Sequence, residues 1–359
     1  MKKLKVLVNA YACSPNMGSE QGMAWNWCKH LAKYSELFII TESEYKDKIE
    51  KELNNLEYKD NLHFYYISVT PKVRKMCKNQ GDWRFYYYYE KWQRKVLDTA
   101  LQIISEYDID IIHQLNMIGF REPGYLWEIQ NIPFVWGPIG GLHQFPLKYL
   151  QDADTKFKAY FRLKTLINKL QIKYSRRVDK AIKQHKGKES VHIPDQGTFI
   201  KSYGYEEDRF NNEDLQLIWV GKFDFGKQLH VAIRSIAATN NKNIILNIYG
   251  TGSEQQELGA KKLIKRLNIS DQILFHGFCP YSEIQNKMRK ADLMFFTSVS
   301  EGTPTVIMES ISNHLPILCH DACGFGAVVN ENIGIKVRLS HPSRSIAQFA
   351  ESINDLYYN

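Results

Sequence analysis

Short apolar runs alternate with helix-length amphipathic stretches along most of the chain. Residues 5–10 read as a buried strand, and 19–32 as a helix with Trp25, Trp27, Cys28 and Leu31 as core candidates. Residues 37–41 read as a second strand, followed by a helix near 45–56 and strands at 62–69, 108–113 and 133–137. The pattern restarts further on. Strands at 215–220, 244–249, 272–276 and 293–296 are separated by helices at 229–238, 254–267 and 281–291. Apolar strands alternating with helices predict parallel sheets wound on both faces. Two such series predict an α/β chain of two Rossmann-like domains, 1–188 and 189–359. Their parallel sheets would face each other across a cleft, with ligands at the carboxyl ends of the strands. A length of 359 residues suits two domains better than one core.

Composition narrows the class. Apolar residues make up 44% and charged ones 24%, the balance of a globular chain. The apolar stretch behind Lys2, Lys3 and Lys5 is interrupted at Asn9, Ser14 and Pro15, too early for the core of a secretory signal. No run approaches the roughly 18 apolar residues that span a bilayer. The six cysteines are scattered, and Cys319 and Cys323 lack the second pair that would complete a zinc site. A reduced, cytoplasmic compartment is expected. The net charge of +8 favours an anionic partner such as a nucleotide, a phospholipid or an acidic glycan, without choosing among them. Nucleic acid is not an expected partner.

Residues 148–177 interleave lysines and arginines with Leu, Phe, Tyr and Ile, the pattern of a basic amphipathic helix. Such a helix either packs its apolar face on a sheet or docks on the inner face of the cell membrane, where each Lys or Arg near anionic headgroups adds ~1 kcal/mol. The aromatic run 83–92 reads as core or as the lining of an acceptor groove, with a carbohydrate platform or membrane belt as alternatives.

The densest chemistry lies at 300–309, where Glu301 and Glu309 bracket Gly302, Thr303, Pro304 and Thr305. The apolar strand 293–296 leads in, Pro304 suits the first turn of a helix, and Pro316 opens the next element. A strand–loop–helix junction aims free backbone N–H groups and a positive dipole end at an anion. Two glutamates eight apart are by themselves an ordinary solvated face; the preceding strand and the Gly-x-Pro turn distinguish them.

Gly221, Lys222 and Lys227 lie in the loop after strand 215–220, where two lysines can neutralise a diphosphate or simply form a Gly/Lys turn. Gly250-Thr251-Gly252 lacks the third glycine of a dinucleotide fingerprint, so no nicotinamide or flavin is expected. In the first strand-to-helix loop, Gly18 lets backbone approach a ligand and Ser19 can cap the helix. His113 ends a strand, where a histidine is either structural or turned to the cleft. Trp136-Gly137-Pro138-Ile139-Gly140-Gly141 ends the next strand in a turn that holds a substrate or forms a tight loop.

Together these residues resemble the retaining GT-B glycosyltransferases of glycosyltransferase family 4 (glycosyltransferase group 1). The resemblance rests on Glu301-x7-Glu309 with Gly302 and Pro304, on Gly18-Ser19-Glu20, on the 136–141 turn, on Gly221-Lys222 with Lys227, and on His276-Gly277-Phe278. It covers nearly the whole chain and is strongest over 215–335. It implies a nucleotide-sugar donor held mainly by the second domain. Glu309 would accept from the ribose hydroxyls, Glu301 would face the transferred sugar, and backbone around Thr303, Pro304 and Thr305 would meet the diphosphate. The backbone near Phe278 would receive the base. Lys222 and Lys227 would stabilise charge developing on the leaving phosphate. His113 stands as a further catalytic candidate, and Gly140, Gly141 and His143 belong to the acceptor side.

Retention of configuration, a hexose-type sugar, transfer without a metal or cofactor, and a glycan or lipid-linked acceptor in surface polysaccharide or capsule synthesis are likewise implied by the resemblance. The chain departs from the family in carrying Lys222 where Arg is usual and in having no histidine directly after Pro138. Residues 177–182 also run into a charged helix, and the chain stops short of the family's closing helix. The alternative these departures suggest is a non-catalytic nucleotide-sugar-binding protein.

Overall fold

The computed structural model describes residues 3–17, 19–79, 82–142, 144–151, 153–183, 213–301 and 304–358. Contacts divide the chain into two compact units: Met1–Leu142 with Ile167–Val191, and His143–Leu166 with His192–Asn359. The expected boundary at 188/189 leaves residues 143–166 with the first domain, whereas their contacts place them with the second. The cause is local: Tyr149 is fully buried and packs in the second unit's core, and Phe157 lies 4.8 Å from the Phe225 ring.

The first unit runs β1 (Leu4–Ala10), α1 (Ser19–Leu31), β2 (Ser35–Glu42), α2 (Lys46–Leu53), β3 (Leu62–Ile67), α3 (Pro71–Lys78), α4 (Arg84–Glu106), β4 (Ile111–Asn116) and β5 (Phe134–Trp136). From the helix α5 (Thr155–Tyr174) only residues 167–174 belong to this unit, and α6 (Arg176–Lys183) follows. Its five strands pair in the order β3-β2-β1-β4-β5, all parallel. Residues 6–10 of β1 are buried, as a strand covered on both faces must be. The aromatic run divides by helical period: Phe85, Tyr89 and Trp92 of α4 turn inward, while Trp83 and Tyr87 are exposed. Tyr11 meets all three inward rings edge-on, with centroids 4.8 to 5.7 Å away.

The second unit runs β6 (Leu215–Val220), α7 (Leu229–Thr239), β7 (Ile244–Tyr249), α8 (Glu254–Leu267), β8 (Ile273–Gly277), α9 (Tyr281–Lys290), β9 (Leu293–Phe296), α10 (Thr305–Ser312), β10 (Ile317–Asp321), α11 (Cys323–Val328), β11 (Gly334–Arg338) and α12 (Pro342–Tyr358). Its sheet has the order β11-β10-β9-β6-β7-β8, again parallel throughout. The strand order reverses direction beside β6 and β9, the kind of position where open α/β sheets form a crevice. Gly250 and Gly221 bring two strand ends together there: a Cβ on Gly250 would lie 1.8 Å from the Gly221 carbonyl oxygen, and Gly250 has φ +144°.

Candidate active site

The loops that follow β6 and β9 are tied to each other. Trp219 of β6 donates its indole N–H to Thr297 Oγ1 at 3.1 Å, and Thr297 Oγ1 donates to the Lys227 carbonyl at 2.8 Å. The Val299 N–H donates to the Gly226 carbonyl at 2.9 Å. These bonds fix the residues that flank the candidate charges. Lys227 Nζ lies 2.7 Å from Glu301 Oε1 and 2.9 Å from Oε2. Ser298 Oγ donates to Glu301 Oε1 at 2.8 Å, and the ammonium stands 5.2 Å from the Phe296 ring centroid.

Gly221 makes room for the lysine stem. A Cβ there would meet Lys227 Cδ at 3.2 Å and Cε at 3.3 Å. Lys222 is exposed and joins no ion pair among the described residues, so the structure brings Lys227 and Glu301 together and leaves Lys222 apart.

Pro304 is the N-cap of α10, with φ −68° and ψ 138°, one position ahead of the first turn expected for it. Glu309 lies one turn along the helix and is buried, at 8% exposure. Gln285 of α9 donates Nε2 to Glu309 Oε2 at 3.2 Å, and Asn313 Nδ2 donates to Gln285 Oε1 at 2.6 Å, fixing the amide's orientation. Burial pushes the Glu309 carboxyl up, while hydrogen bonds from Gln285 and Thr305 pull it down. Among the described residues it has no ion-pair partner, so its acceptor capacity is not consumed by a cation. Phe278 follows Gly277, which has φ +70°, and is 80% exposed. His276 of the same motif donates its Nε2–H to Asn247 Oδ1, 2.9 Å away, and stacks on Tyr249.

The first unit holds a separate cavity of about 230 Å³, lined by Glu20, Phe85, Tyr86, Tyr89, Met117 and Ile118, with Gly119, Arg121, Gly140 and Gly141. Gly119 and Gly140 form a backbone bridge that shapes its rim. The Ile118 N–H donates to Glu20 Oε2 at 3.3 Å, and burial raises the Glu20 carboxyl. Asn116 holds the neighbouring loop, donating to the Ala12 carbonyl at 2.7 Å and to the Glu20 carbonyl at 3.2 Å.

His113 is buried and its Nε2 lies 2.7 Å from the Gly137 carbonyl, so that nitrogen carries the hydrogen. Its ring meets Trp27 edge-on, and burial lowers its pKa. That is the structural side of the two readings open to it, and we assign it no catalytic role. Gly18, His143, Gly302 and Thr303 lie outside the described residues.

Residues 206–359 match the family model described as Glycosyl transferases group 1. Over that stretch the chain is similar to glycosyl transferases group 1. A relative from Campylobacter jejuni, N-acetylgalactosamine-N,N'-diacetylbacillosaminyl-diphospho-undecaprenol 4-alpha-N-acetylgalactosaminyltransferase, is 34% identical over 111 residues, 30% of this chain and 28% of that protein. The chain spans less than two thirds of the length of the curated relatives it matches. The apo form of the lipopolysaccharide outer core galactosyltransferase WaaB superposes with a TM-score of 0.57 at 17% identity, over 99% of this chain and 90% of that one. HepE from Anabaena, solved in complex with UDP, gives 0.51 at 13% identity, over 99% and 96%. The two parallel-sheet α/β units are thus those of the GT-B fold.

Within residues 206–359, three supporting residues are invisible to motif reading: Ser298 and Phe296 around the ion pair, and Gln285 on Glu309. Glu20 sits in a motif that sequence reading notices without giving it a role.

Proposed function

We propose that this chain transfers a hexose-type sugar, with retention of configuration, from a nucleotide-sugar donor to a glycan or lipid-linked acceptor in surface polysaccharide synthesis. The observation that carries the reading is the Lys227–Glu301 pair, set by Ser298 at the carboxyl ends of β6 and β9. Glu301 faces the transferred sugar and accepts from its hydroxyls. Lys227 keeps a third N–H for the diphosphate, the place where negative charge grows as the bond breaks. Lys222, exposed beside it, adds charge at longer range. Glu309, buried without a cation, takes the ribose hydroxyls, and α10 presents its first N–H groups at Thr305 to the phosphates. Phe278 marks the base end. During transfer, the bond from the anomeric carbon to the diphosphate oxygen breaks and a bond to the acceptor oxygen forms. The acceptor's proton passes to the departing phosphate. With Lys227 supplying the cation, the reaction needs no metal, and EDTA is expected to leave the rate unchanged.

Support comes from the matched domain, from a structural neighbour solved with UDP, and from a relative whose name places its acceptor on a diphospho-lipid. The cavity of Glu20, Gly140 and Gly141 is our candidate for the acceptor side. The chain works at the inner face of the membrane. Among the described residues no helix is long and apolar enough to cross one, and α5 supplies the contact. Phe157, Phe161 and Ile172 turn inward on that helix, while Tyr160, Leu163, Leu166, Ile167, Leu170 and Tyr174 are exposed. At ~100° per residue these exposed side chains gather on the side away from the packed one, flanked by lysines.

The test is release of nucleoside diphosphate from a panel of UDP- and GDP-sugars, with the product anomer assigned by NMR. Release from at least one donor, abolished by E309A, with a product of the donor's anomeric configuration, is expected. A folded protein that neither binds nor turns over any donor would sink the reading, and an inverted product would sink retention.

A further inference from the structure

Residues 143–166 pack in the second unit, and there they meet both loops that carry the Lys227–Glu301 pair. On the β6 side, the Phe157 ring lies 4.8 Å from that of Phe225, in the loop between Gly221 and Lys227. Phe161 backs Phe157 at 4.7 Å, and Phe145 backs Phe161 at 4.9 Å. Gln228, next to Lys227, donates its amide Nε2 to the Tyr149 carbonyl at 3.1 Å and to the Phe225 carbonyl. Its own carbonyl accepts from Thr297 Oγ1 at 3.3 Å. Gln228 is fully buried, with φ 55° and ψ 42°. Such a left-handed backbone is uncommon outside glycine and asparagine, and it persists only where the surroundings over-determine it.

On the β9 side the link is a directed chain of hydrogen bonds. His320 Nδ1 faces the Ser298 carbonyl at 3.2 Å, so that nitrogen carries the hydrogen. Burial keeps the ring neutral, which leaves Nε2 as an acceptor. Ser345 Oγ therefore donates to Nε2 at 3.1 Å and accepts from the Tyr149 hydroxyl at 2.7 Å. Tyr149, Ser345 and His320 are fully buried, and Ser298 is 1% exposed. Ser298 in turn donates its hydroxyl to Glu301. Tyr149 thus reaches the Lys227 loop through its carbonyl and the Glu301 loop through its hydroxyl. Buried hydrogen-bonded side chains add little net stability over apolar groups of the same shape, so what these bonds supply is position.

We propose that residues 143–166 brace the Lys227–Glu301 pair, with Gln228 and His320 as the two positioning residues that transmit the brace to its loops. Gln228 sets the backbone from which Lys227 reaches across, and His320 sets the Ser298 backbone whose hydroxyl orients Glu301. The catalytic consequence rests on the glycosyl-transfer reading; the bonds that hold the pair do not. A brace that acts only through the pair alters turnover without altering the hold on the nucleotide, which Glu309 and α10 supply from elsewhere in the unit.

The full chain and its variants H320L, H320Q and Q228N are compared by three readouts. These are release of nucleoside diphosphate from UDP- and GDP-sugars, calorimetric titration with UDP and GDP, and acetylation of Lys227 by sulfo-N-hydroxysuccinimidyl acetate relative to exposed Lys222. H320L and Q228N are expected to lower kcat on the order of tenfold, to leave UDP and GDP affinity unchanged, and to raise Lys227 acetylation severalfold. Asparagine tolerates the left-handed backbone at position 228, but its shorter amide does not reach both carbonyls. H320Q can donate and accept at the same two places and should recover most of kcat. Because H320L could fail to fold, S345A serves as a second variant: it keeps the imidazole and should lower kcat in the same direction by less. Wild-type kcat and Lys227 acetylation in Q228N and S345A, H320Q no better than H320L, or a folded variant that loses nucleotide affinity together with kcat would overturn the proposal. A wild type that turns over no donor would strike at the transfer reading, and the acetylation ratio then decides on the brace: no change in Q228N or S345A would overturn it too.

Discussion

Lys227 and Glu301 keep about a fifth of each side chain exposed while touching at 2.7 Å, so neither charge is fully desolvated and each restrains the other's rotamers. Two residues acting as one unit should not lose activity additively. We expect K227A and E301A each to lower kcat by on the order of 100-fold, and the double variant to be little worse than the poorer single one. Steady-state kinetics of the four proteins tests this, and a product of the two single losses would show that they act separately. Gly221→Ala probes the same pair through its stem: the new Cβ would press on Lys227 Cδ at 3.2 Å, lowering kcat while the unfolding midpoint stays near wild type. The charged members of this site were legible because loops at strand ends are where charge meets ligand. Ser298, Phe296 and Gln285 were not, since which serine or amide meets a carboxylate depends on how strands far apart in sequence come together. His113 shows the converse: it was expected at a strand end, but β4 runs on to Asn116, so the histidine sits within the strand and is bonded to the Gly137 carbonyl.

Strands with continuous apolar runs were placed closely from the sequence; β9 and α8 fall at the expected residues 293–296 and 254–267. β4 was expected at 108–113 and forms at Ile111–Asn116. Asp110 is spent on holding the start of β1, accepting from the Lys5 N–H at 2.7 Å and donating its own N–H to the Lys5 carbonyl. The strand's far end continues through Gln114 and Asn116, both buried. Asn9 donates to Gln114 Oε1 at 2.7 Å, and Asn116 holds the Ala12 backbone. Buried polar residues with partners look like loop in a hydrophobicity pattern. β10 carries the same kind of hidden polar residue. His320 lies between the Ser298 carbonyl at 3.2 Å and Ser345 Oγ at 3.1 Å, and Ser345 reaches the Tyr149 hydroxyl at 2.7 Å. Burial lowers its pKa to about 4. Between about pH 6.5, its ordinary value, and pH 4, the unfolded chain therefore binds a proton that the folded chain refuses. Stability should fall as pH drops through that window, by up to about 3 kcal/mol from this residue, and level off below it. Urea unfolding from pH 7 to 4 should give a shallower slope for His320→Gln than for wild type, although the variant starts from lower stability. Parallel slopes would show that His320 is not the source.

At the scale of the whole molecule, the excess of +8 charges matters less than where some of them lie. On α5, Lys158, Arg162, Lys164, Lys169 and Lys173 flank exposed Tyr160, Leu163, Leu166, Ile167 and Leu170. The amphipathic pattern in the sequence correctly marked a helix but not its second apolar face, because the inward stripe includes Thr165 and the buried Asn168 and so looks less apolar than it is. An exposed apolar stripe bordered by lysines combines two favourable terms on an anionic bilayer: burial of apolar area at ~25 cal/mol per Å², and ~1 kcal/mol for each cation close to the headgroups. The two can be told apart. Sedimentation with vesicles of three parts phosphatidylcholine to one part phosphatidylglycerol should pull down the protein, and about 0.5 M salt should weaken the binding by screening the lysines. Leu163→Glu with Leu166→Glu removes apolar area and adds repulsion, and should weaken vesicle binding about tenfold or more at low salt. Both side chains are more than half exposed, so the unfolding midpoint and the release of nucleoside diphosphate in solution should stay near wild type. If the double variant sediments like the wild type, α5 is not the surface that meets the membrane.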